Sequence, residues 1–367
     1  MKIAIACGLS GGHIFPGIAL AYELTKKSGN DILMVTSRKK LDIEIFEKSG
    51  LRFEAVPYNP FILTLNPVKQ FLFVLRLVRG VNLSVKVLSR FRPQCVVGFG
   101  GSVSVPILFA AWILHIPRII HEQNIIAGLA NRLVSLFADR IAVSFEETKR
   151  FFNERKVVVT GNPVRRKFLN LDKIHSRDRF GLDKERFTIF VIGGSQGAAA
   201  LNNAVLDALG MMDYQEKKTL QVIHIAGRDA QGPVTERYQK ENIKSRIFSF
   251  LDEIDRAYTA CDLVISRAGA TTIAELAHFE RPSILVPYPK RRVHQAENAY
   301  FLSDNKAAIT IEEKDLNPVQ IKNLILDLKK DKKRLEDMAS RFKGLGVRDA
   351  DLLLAREVLS LGEPTNP

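Results

Sequence analysis

The stretch FTIFVIGGSQG, residues 187–197, decides the fold of this chain, because an apolar run ends there in a turn that holds three glycines. The N-terminal stretch KIAIACGLSGGH, residues 2–13, has the same order, and a segment with the apolar spacing of a helix follows each stretch. Glycine lets a backbone approach a phosphate closely, and the N-terminus of the next helix favours negative charge. Two such turns, about half the chain apart, predict two Rossmann-like domains that face each other across a cleft.

Each half of the chain carries further strand-like runs that alternate with helical patterns, which is typical of a doubly wound parallel α/β sheet. The runs are residues 32–36, 95–98, 118–121 and 140–143 in the first half, and 221–226, 246–250, 263–266 and 283–286 in the second. The charged, poorly periodic segment 165–186 is interpreted as a linker, so we expect domains at residues 1–162 and 163–344. Residues 349–361 predict a separate amphipathic helix.

The composition predicts a globular protein of the reducing cytosol. Hydrophobic residues make up 46% of the chain, which is too many for a disordered protein, and its three cysteines are too far apart for a disulfide framework or a metal site. The apolar N-terminus and the uncharged window 93–117 are each interrupted by glycine or proline. We therefore expect neither a signal peptide nor a membrane-spanning helix.

The net charge of +14 predicts a polyanionic partner. One segment indicates which kind of polyanion this partner is. Residues 55–121 contain seven Lys or Arg and no Asp or Glu, with large apolar side chains between the basic ones. An apolar surface with a basic fringe favours docking on anionic lipid and not on nucleic acid. The alternative is a pair of core helices whose charges are solvated. The predicted membrane patch comprises Lys69, Phe71, Leu72, Leu75, Arg76, Arg79 and Trp112.

The most specific cluster lies in the second half, where a predicted strand, 262–266, leads through Arg267-Ala268-Gly269 into a helix that starts ATTIAE. N–H groups and hydroxyls at a helix N-terminus suit a diphosphate, and the Glu275 carboxylate one turn further on suits ribose hydroxyls. The alternative is an ordinary helix in which Thr271 or Thr272 is the N-cap and the Glu275 carboxylate interacts favourably with the helix dipole. The position after a strand, together with the two glycine turns, favours a nucleotide site.

Three polar groups fall where the strands of such a sheet place their ligands. His13 opens the helix after the first glycine turn, so it is a candidate general base or phosphate donor. The run His121-Glu122-Gln123-Asn124 ends another predicted strand, and a loop that caps the next helix explains only one or two of these residues. The pair His294-Gln295 follows the strand 283–286.

The chain contains six motifs that, in their sequence and their order, resemble those of the MurG family of bacterial N-acetylglucosaminyltransferases. They are GGHIFPG (11–17), HEQN (121–124), GNPVR (161–165), GGSQG (193–197), RAGATTIAE (267–275) and QAENA (295–299). The resemblance covers nearly the whole chain, although the RAGATTIAE helix alone is shared among GT-B transferases. Two positions depart from the family. Leu9-Ser10 stands where Gly-Thr is usual, and His294 stands where acidic or amide residues are common.

The resemblance implies a GT-B fold of two Rossmann-like domains, with a C-terminal helix, 345–362, that packs back on the first domain. It implies that the second domain mainly binds UDP-GlcNAc and that the first binds undecaprenyl-pyrophosphoryl-MurNAc-pentapeptide. Carried over by position, the residues implied to contact UDP-GlcNAc are Ser10, Gly11, Gly12, Asn124, Arg165, Ser195, Leu251, Ala270, Thr271, Thr272, Ile273, Ala274, Glu275 and Gln295. The implied setting is peripheral, on the cytoplasmic face of the bacterial cell membrane, with an anionic membrane surface and other cell-wall synthesis proteins as partners and no nucleic acid.

The implied reaction is the displacement of UDP from the anomeric carbon of GlcNAc, with inversion, by a hydroxyl of the muramoyl sugar. It needs a base near that hydroxyl and stabilisation of the departing diphosphate. We expect His13 to be the base, with Glu122 as the second choice, and we expect no cofactor and no metal. The alternatives are transfer to another lipid acceptor, a UDP-GlcNAc 2-epimerase of the same fold, and a non-enzymatic membrane scaffold. An epimerase should carry extra acids for proton abstraction.

Overall fold

The computed structural model describes residues 1–57, 66–165, 171–193, 198–290 and 294–363. The chain forms two compact units. The first comprises Met1–Val164 and a returning segment that begins at Val347, and the second comprises Arg165–Gly346. The first unit is therefore discontinuous in sequence.

The first unit is built on a seven-stranded sheet in which every paired strand is parallel to its neighbour. In chain order its elements are β1 (Lys2–Ala6), α1 (Gly11–Thr25), β2 (Asp31–Ser37), α2 (Lys40–Ser49), β3 (Phe53–Val56), α3 (Pro67–Phe91), β4 (Cys95–Gly98), α4 (Gly101–Ile113), β5 (Arg118–Glu122), α5 (Leu129–Val134), β6 (Arg140–Val143) and β7 (Val157–Val159). Short 3₁₀ helices span Glu146–Phe151 and Glu154–Lys156. The strand order is β3-β2-β1-β4-β5-β6-β7.

The strand order reverses between β1 and β4, so the loops after these two strands meet at the carboxyl edge of the sheet. The register pairs Ala6 with Gly98, which brings the turn after β1 beside the turn after β4. Helices cover both faces of β1 and bury Ile3–Ala6 completely, and this is why the strand is a continuous apolar run. Gly17 lets α1 approach the sheet closely, since a Cβ there would lie 2.7 Å from Sγ of Cys7.

The second unit repeats this plan on a six-stranded parallel sheet. Its elements are α6 (Lys173–Arg179), β8 (Phe187–Ile192), α7 (Ala199–Gly210), α8 (Tyr214–Lys218), β9 (Leu220–Ile225), α9 (Gln231–Lys240), β10 (Ser245–Phe248), α10 (Ile254–Ala260), β11 (Leu263–Ser266), α11 (Ala270–Phe279), β12 (Ser283–Leu285), α12 (Gln295–Asp304), β13 (Ala308–Thr310), α13 (Pro318–Lys330) and α14 (Lys332–Arg341). A 3₁₀ turn spans Glu313–Asp315. The strand order β10-β9-β8-β11-β12-β13 reverses between β8 and β11. The predicted class, two doubly wound parallel sheets, is confirmed.

The charged segment 165–186, predicted to be a linker, holds a packed helix. Asp172 caps α6 by accepting from the backbone N–H of His175, and α6 packs against α10. Arg177 is buried, and its guanidinium donates to the Ala260 carbonyl and to Asp262. The prediction was wrong for residues 173–179 because these charges have partners that are distant in sequence.

The helix α15, Ala350–Gly362, completes the first unit. It packs against α1 and β4 and buries Leu354, Ala355 and Val358 in the same cluster as Ile3 and Ile5 of β1. Among the described residues, no helix combines the length and the apolar character that crossing a bilayer requires.

Candidate functional site

The turn after β1 is held by a buried carboxylate from α2. Leu9 has a φ of +75°, in the left-handed region that glycine adopts more easily. Its N–H donates to Oδ2 of Asp42 at 2.7 Å, and the Ser37 hydroxyl donates to the same oxygen at 2.6 Å. Asp42 therefore fixes the one residue of the turn that departs most from the family pattern. Ser10 follows as the N-cap of α1, although its side chain makes no capping hydrogen bond, and Gly11 and Gly12 open the helix.

His13 reaches from the first turn of α1 to the end of β5. Its Nδ1 lies 3.0 Å from Oε1 of Gln123. Burial lowers the pKa of His13, while the Glu122 carboxylate and the Gln123 amide act in the opposite direction. Because the lowering prevails, the half-buried ring is neutral at pH 7, as a general base must be.

Glu122 orders the loop that follows β5. Its Oε1 accepts from the backbone N–H and the side-chain amide of Asn124, at 3.0 and 3.2 Å. Its Oε2 accepts from the N–H of Gly128 at 2.9 Å and from the side chain of Asn131 at 2.8 Å. With four donors on a carboxylate that is 2% exposed, this geometry favours His13 over Glu122 as the base. The side-chain amide nitrogen of Asn124 therefore donates to Glu122 in this structure.

In the second unit, Gly269 is the N-cap of α11, and the threonines Thr271 and Thr272 lie inside the first turn. The alternative in which one of these threonines caps the helix is therefore wrong. The helix begins at the carboxyl end of β11, where the strand order reverses. Ala270, Thr271 and Ile273 are buried, whereas Thr272 and Ala274 are half-buried.

Glu275 is buried one turn into α11, between two partners. Tyr258 on α10 donates its hydroxyl to Oε2 at 2.9 Å, and Arg165 donates to Oε1 at 3.2 Å. Burial raises the pKa of Glu275, and Arg165 with the Tyr258 hydrogen bond counters that effect. Tyr258 has no predicted role, and nothing in its local sequence marks it.

Gln295 lies beside the N-terminus of α11. Its Oε1 accepts from the backbone N–H of Tyr288 at 3.0 Å. Its Nε2 lies 3.9 Å from the position that a Cβ would take on Gly269. Leu251, shortly after β10, is buried. Ser195, which the resemblance places against the nucleotide, lies outside the described residues.

The N-terminal half of α3 exposes apolar and basic side chains together. Phe71 is 63% exposed and Leu75 50%, and Lys69, Leu72, Arg76 and Arg79 are exposed beside them. The helix packs against α4, on which Trp112 is 46% exposed and contacts Phe109 and Phe137. A core helix would bury these side chains, so the core alternative does not describe this half of α3.

The described ranges contain no group of three or more His, Cys, Asp or Glu side chains placed to hold a metal ion.

Comparisons with known sequences match nearly the whole chain. The "Glycosyltransferase family 28 N-terminal domain" matches residues 3–143, and the "Glycosyltransferase family 28 C-terminal domain" matches residues 188–354. The UDP-N-acetylglucosamine--N-acetylmuramyl-(pentapeptide) pyrophosphoryl-undecaprenol N-acetylglucosamine transferase of Halothermothrix orenii is 37% identical over 94% of this chain and 95% of its own length. The Bacillus subtilis protein of that name is 34% identical over 95% of this chain and 96% of its own length.

Solved structures share the architecture. Acinetobacter baumannii MurG superposes with a TM-score of 0.74 at 24% identity, covering 98% of this chain and 100% of that one. A UDP-GlcNAc 2-epimerase from Neisseria meningitidis superposes with a TM-score of 0.68 at 14% identity, with the same coverage. At these identities the likeness concerns the fold alone, which is GT-B, and the sequence relatives distinguish the family. The chain belongs to glycosyltransferase family 28 and, within it, to the MurG family of N-acetylglucosamine transferases.

Proposed function

We propose that this chain transfers N-acetylglucosamine from UDP-GlcNAc to the muramoyl sugar of undecaprenyl-pyrophosphoryl-MurNAc-pentapeptide. The observation that carries the proposal is the likeness, at 34–37% identity over nearly the full length, to transferases named for that reaction. The acceptor hydroxyl forms the new bond to the anomeric carbon with inversion, UDP leaves, and the product is a lipid-linked disaccharide.

The second unit holds the donor in this proposal. Ala270–Ala274 cradle the diphosphate on the N-terminal N–H groups and hydroxyls of α11. Glu275 accepts from the ribose hydroxyls, and its low exposure supports strong charge-assisted hydrogen bonds. The remaining contacts assigned to the donor in this unit are Arg165 and Ser195 with the nucleotide, the Leu251 backbone with uracil, and Gln295 with the hydroxyls of GlcNAc.

The first unit supplies the base and binds the acceptor. Nε2 of His13 takes the proton of the attacking hydroxyl as the new bond forms, and the negative charge moves to the departing diphosphate. Ser10, Gly11 and Gly12 line the sugar and the acceptor diphosphate, and Asn124 reaches the sugar. The neutral ring of His13 supports this role, and Glu122 is the second choice.

The exposed half of α3 holds the protein on the anionic cytoplasmic leaflet, where a lipid-linked acceptor is displayed. Its exposed apolar side chains, with Lys69, Arg76 and Arg79 among them, have the character of a surface that lies on a bilayer without crossing it. The protein is thus a peripheral membrane protein in this proposal.

One assay tests the reaction. Purified protein is incubated with radiolabelled UDP-GlcNAc and a short-chain analogue of the lipid acceptor, and we expect label in a lipid-linked disaccharide. Omitting the acceptor tests the epimerase alternative, because an epimerase would convert the donor to its 2-epimer unaided. Epimer formation, or label that remains in UDP-GlcNAc in the presence of acceptor, would refute the proposal.

A further inference from the structure

Gln123 is a buried amide that lies between two histidines and has no role in the proposed reaction. Its side chain is 1% exposed. The amide nitrogen faces the carbonyl oxygens of Phe99 and His121, at 3.0 and 2.9 Å, and Nδ1 of His121 at 3.1 Å. Turning the amide over would place its oxygen against two carbonyl oxygens, so one orientation satisfies the network. The Oε1 atom of Gln123 therefore faces His13.

His121 is a neutral histidine with its proton on Nε2. That nitrogen lies 2.9 Å from the carbonyl oxygen of Gly161, which can only accept. Burial lowers the pKa of His121 to about 4, so the ring carries no charge at pH 7. The lone pair on Nδ1 then accepts from the amide of Gln123. The Gly161 carbonyl is itself held in place, because it also accepts from the hydroxyl of Thr160 at 3.1 Å.

The same reasoning fixes His13. Oε1 of Gln123 only accepts, and it lies 3.0 Å from Nδ1 of His13, so that nitrogen carries the proton. In a neutral ring the other nitrogen, Nε2, holds the lone pair. Gly101 adjoins this edge of the ring, where a Cβ would lie in van der Waals contact with the ring, 3.6 Å from Nε2. Two titratable groups act on the ring: the Glu122 carboxylate, which favours the imidazolium, and the neutral His121.

We infer that Gln123 is a positioning residue that holds His13 in the Nδ1–H tautomer, so that Nε2 is the proton acceptor in glycosyl transfer. The hydrogen bonds run in one direction, from His13 through Gln123 and His121 to the carbonyl of Gly161. The effect on catalysis rests on the proposed function. The tautomer is a property of the free protein and can be measured without substrate.

Nuclear magnetic resonance of the protein with ¹⁵N-labelled histidine reads the tautomer, since a ring nitrogen with a lone pair resonates far from a protonated one. We expect the Nδ1–H form in the wild type, with the His13 signals identified by their loss in His13→Ala. Gln123→Met keeps the length of the side chain but removes the acceptor, so the Nε2–H form should gain population.

Gln221→Met is the matched control, because Gln221 on β9 is also a buried glutamine with hydrogen bonds at both ends of its amide. This variant makes the same chemical change in the second unit, and it should leave the His13 signals unchanged. If Gln123→Met does not fold, the wild-type spectrum alone decides the tautomer.

The transfer assay measures the consequence. Gln123→Met should lower kcat by about 10–100-fold, the effect that losing the hydrogen-bond partner of a metal-ligating histidine typically has. The KM for UDP-GlcNAc should stay at the wild-type value. An Nε2–H ring in the wild type, or an unchanged kcat in Gln123→Met, would overturn the inference. A wild type that has the Nδ1–H ring but transfers no GlcNAc would instead refute the proposed function.

Discussion

Glu275 is held between the Tyr258 hydroxyl and Arg165, and this pairing determines what its removal should do. Glu275→Ala should weaken UDP binding by about 1.5–3 kcal/mol, because it removes a charged acceptor for the ribose hydroxyls. Isothermal calorimetry with UDP measures the change. Tyr258→Phe is the control: it keeps the carboxylate and Arg165, so it should retain most of the affinity. Equal UDP affinity in Glu275→Ala and the wild type would contradict the assigned role.

The lowered pKa of His13 predicts where activity is lost in acid. A general base acts only when neutral, so activity should fall as pH drops through the pKa of His13, which lies below the ordinary histidine value of about 6.5. The acid limb of kcat/KM, which reports the free enzyme, should therefore lie below that pH. His13→Ala should lose the limb and lower kcat by about 10²–10⁴-fold, with UDP affinity largely intact. If only the donor KM rises, His13 is a binding residue and Glu122 becomes the candidate base.

Candidate residues can be predicted from the sequence when they end a strand, as Glu122 does, or lie in the first turns of the helix that comes after one, as His13 and Glu275 do. The side chains that hold the functional turns and carboxylates in place cannot be predicted in this way. Asp42 is 33 residues from Leu9, and Tyr258 is 17 residues from Glu275, so no local pattern connects them. The positive φ of Leu9 is also invisible in the sequence, because leucine rarely adopts it and a buried carboxylate is needed to hold it there.

At the scale of an element, helix α3 carries the prediction for the membrane. Reversing the charge of Lys69, Arg76 and Arg79 to Glu should release the protein from anionic vesicles, since each basic residue near such a surface contributes about 1 kcal/mol. Sedimentation with vesicles at moderate salt measures this. Turnover of the full-length lipid acceptor should slow, whereas a water-soluble analogue should be used almost normally.

The matched control for α3 reverses Lys332, Lys333 and Arg334, three exposed residues of α14 in the second unit. This variant has the same change in net charge, so it separates a local patch from a general attraction between a basic protein and anionic lipid. Vesicle binding should persist in it. If the two triple variants bind vesicles equally, the anchor lies outside α3.

The parallel strands could be predicted because burial on both faces leaves continuous apolar runs bounded by glycine. Helix α6 could not, because it is short and charged, and its buried Arg177 depends on Asp262 and on the carbonyl of Ala260. The exposure of the apolar side chains of α3 could not be predicted from the sequence either. Apolar side chains at helical spacing fit a core helix as well as a surface helix, and only the fold shows that Phe71 and Leu75 are exposed.

At the scale of the whole molecule, the discontinuous first unit predicts how fragments behave. The fragment 165–346 should unfold cooperatively in urea, because it contains the whole second unit. The fragment 1–164 should lose cooperative unfolding, since it lacks Leu354 and Val358, fully buried side chains of α15 worth about 1.5–3 kcal/mol each. Circular dichroism against urea concentration measures both.

A fusion supplies the control for the fragments. Val347 packs against Gly161, so a short Gly-Ser linker from Val164 to Val347 can replace the second unit without stretching the chain. This fusion should restore cooperative unfolding. A fragment 1–164 as stable as the fusion would show that α15 is dispensable for the first unit.

The return of α15 also sets an order of events during synthesis on the ribosome. The strand that begins the first unit is made first, yet the helix that covers its sheet is made only after the whole second unit has been translated. At about 5–20 residues per second, the nascent first unit waits for tens of seconds with the apolar faces of α1 and β4 uncovered. The second unit is one continuous stretch of chain, so it can fold as soon as it has been made, while the first unit still lacks α15. The uncovered apolar faces therefore predict that chaperones bind the N-terminal half of the nascent chain until α15 emerges.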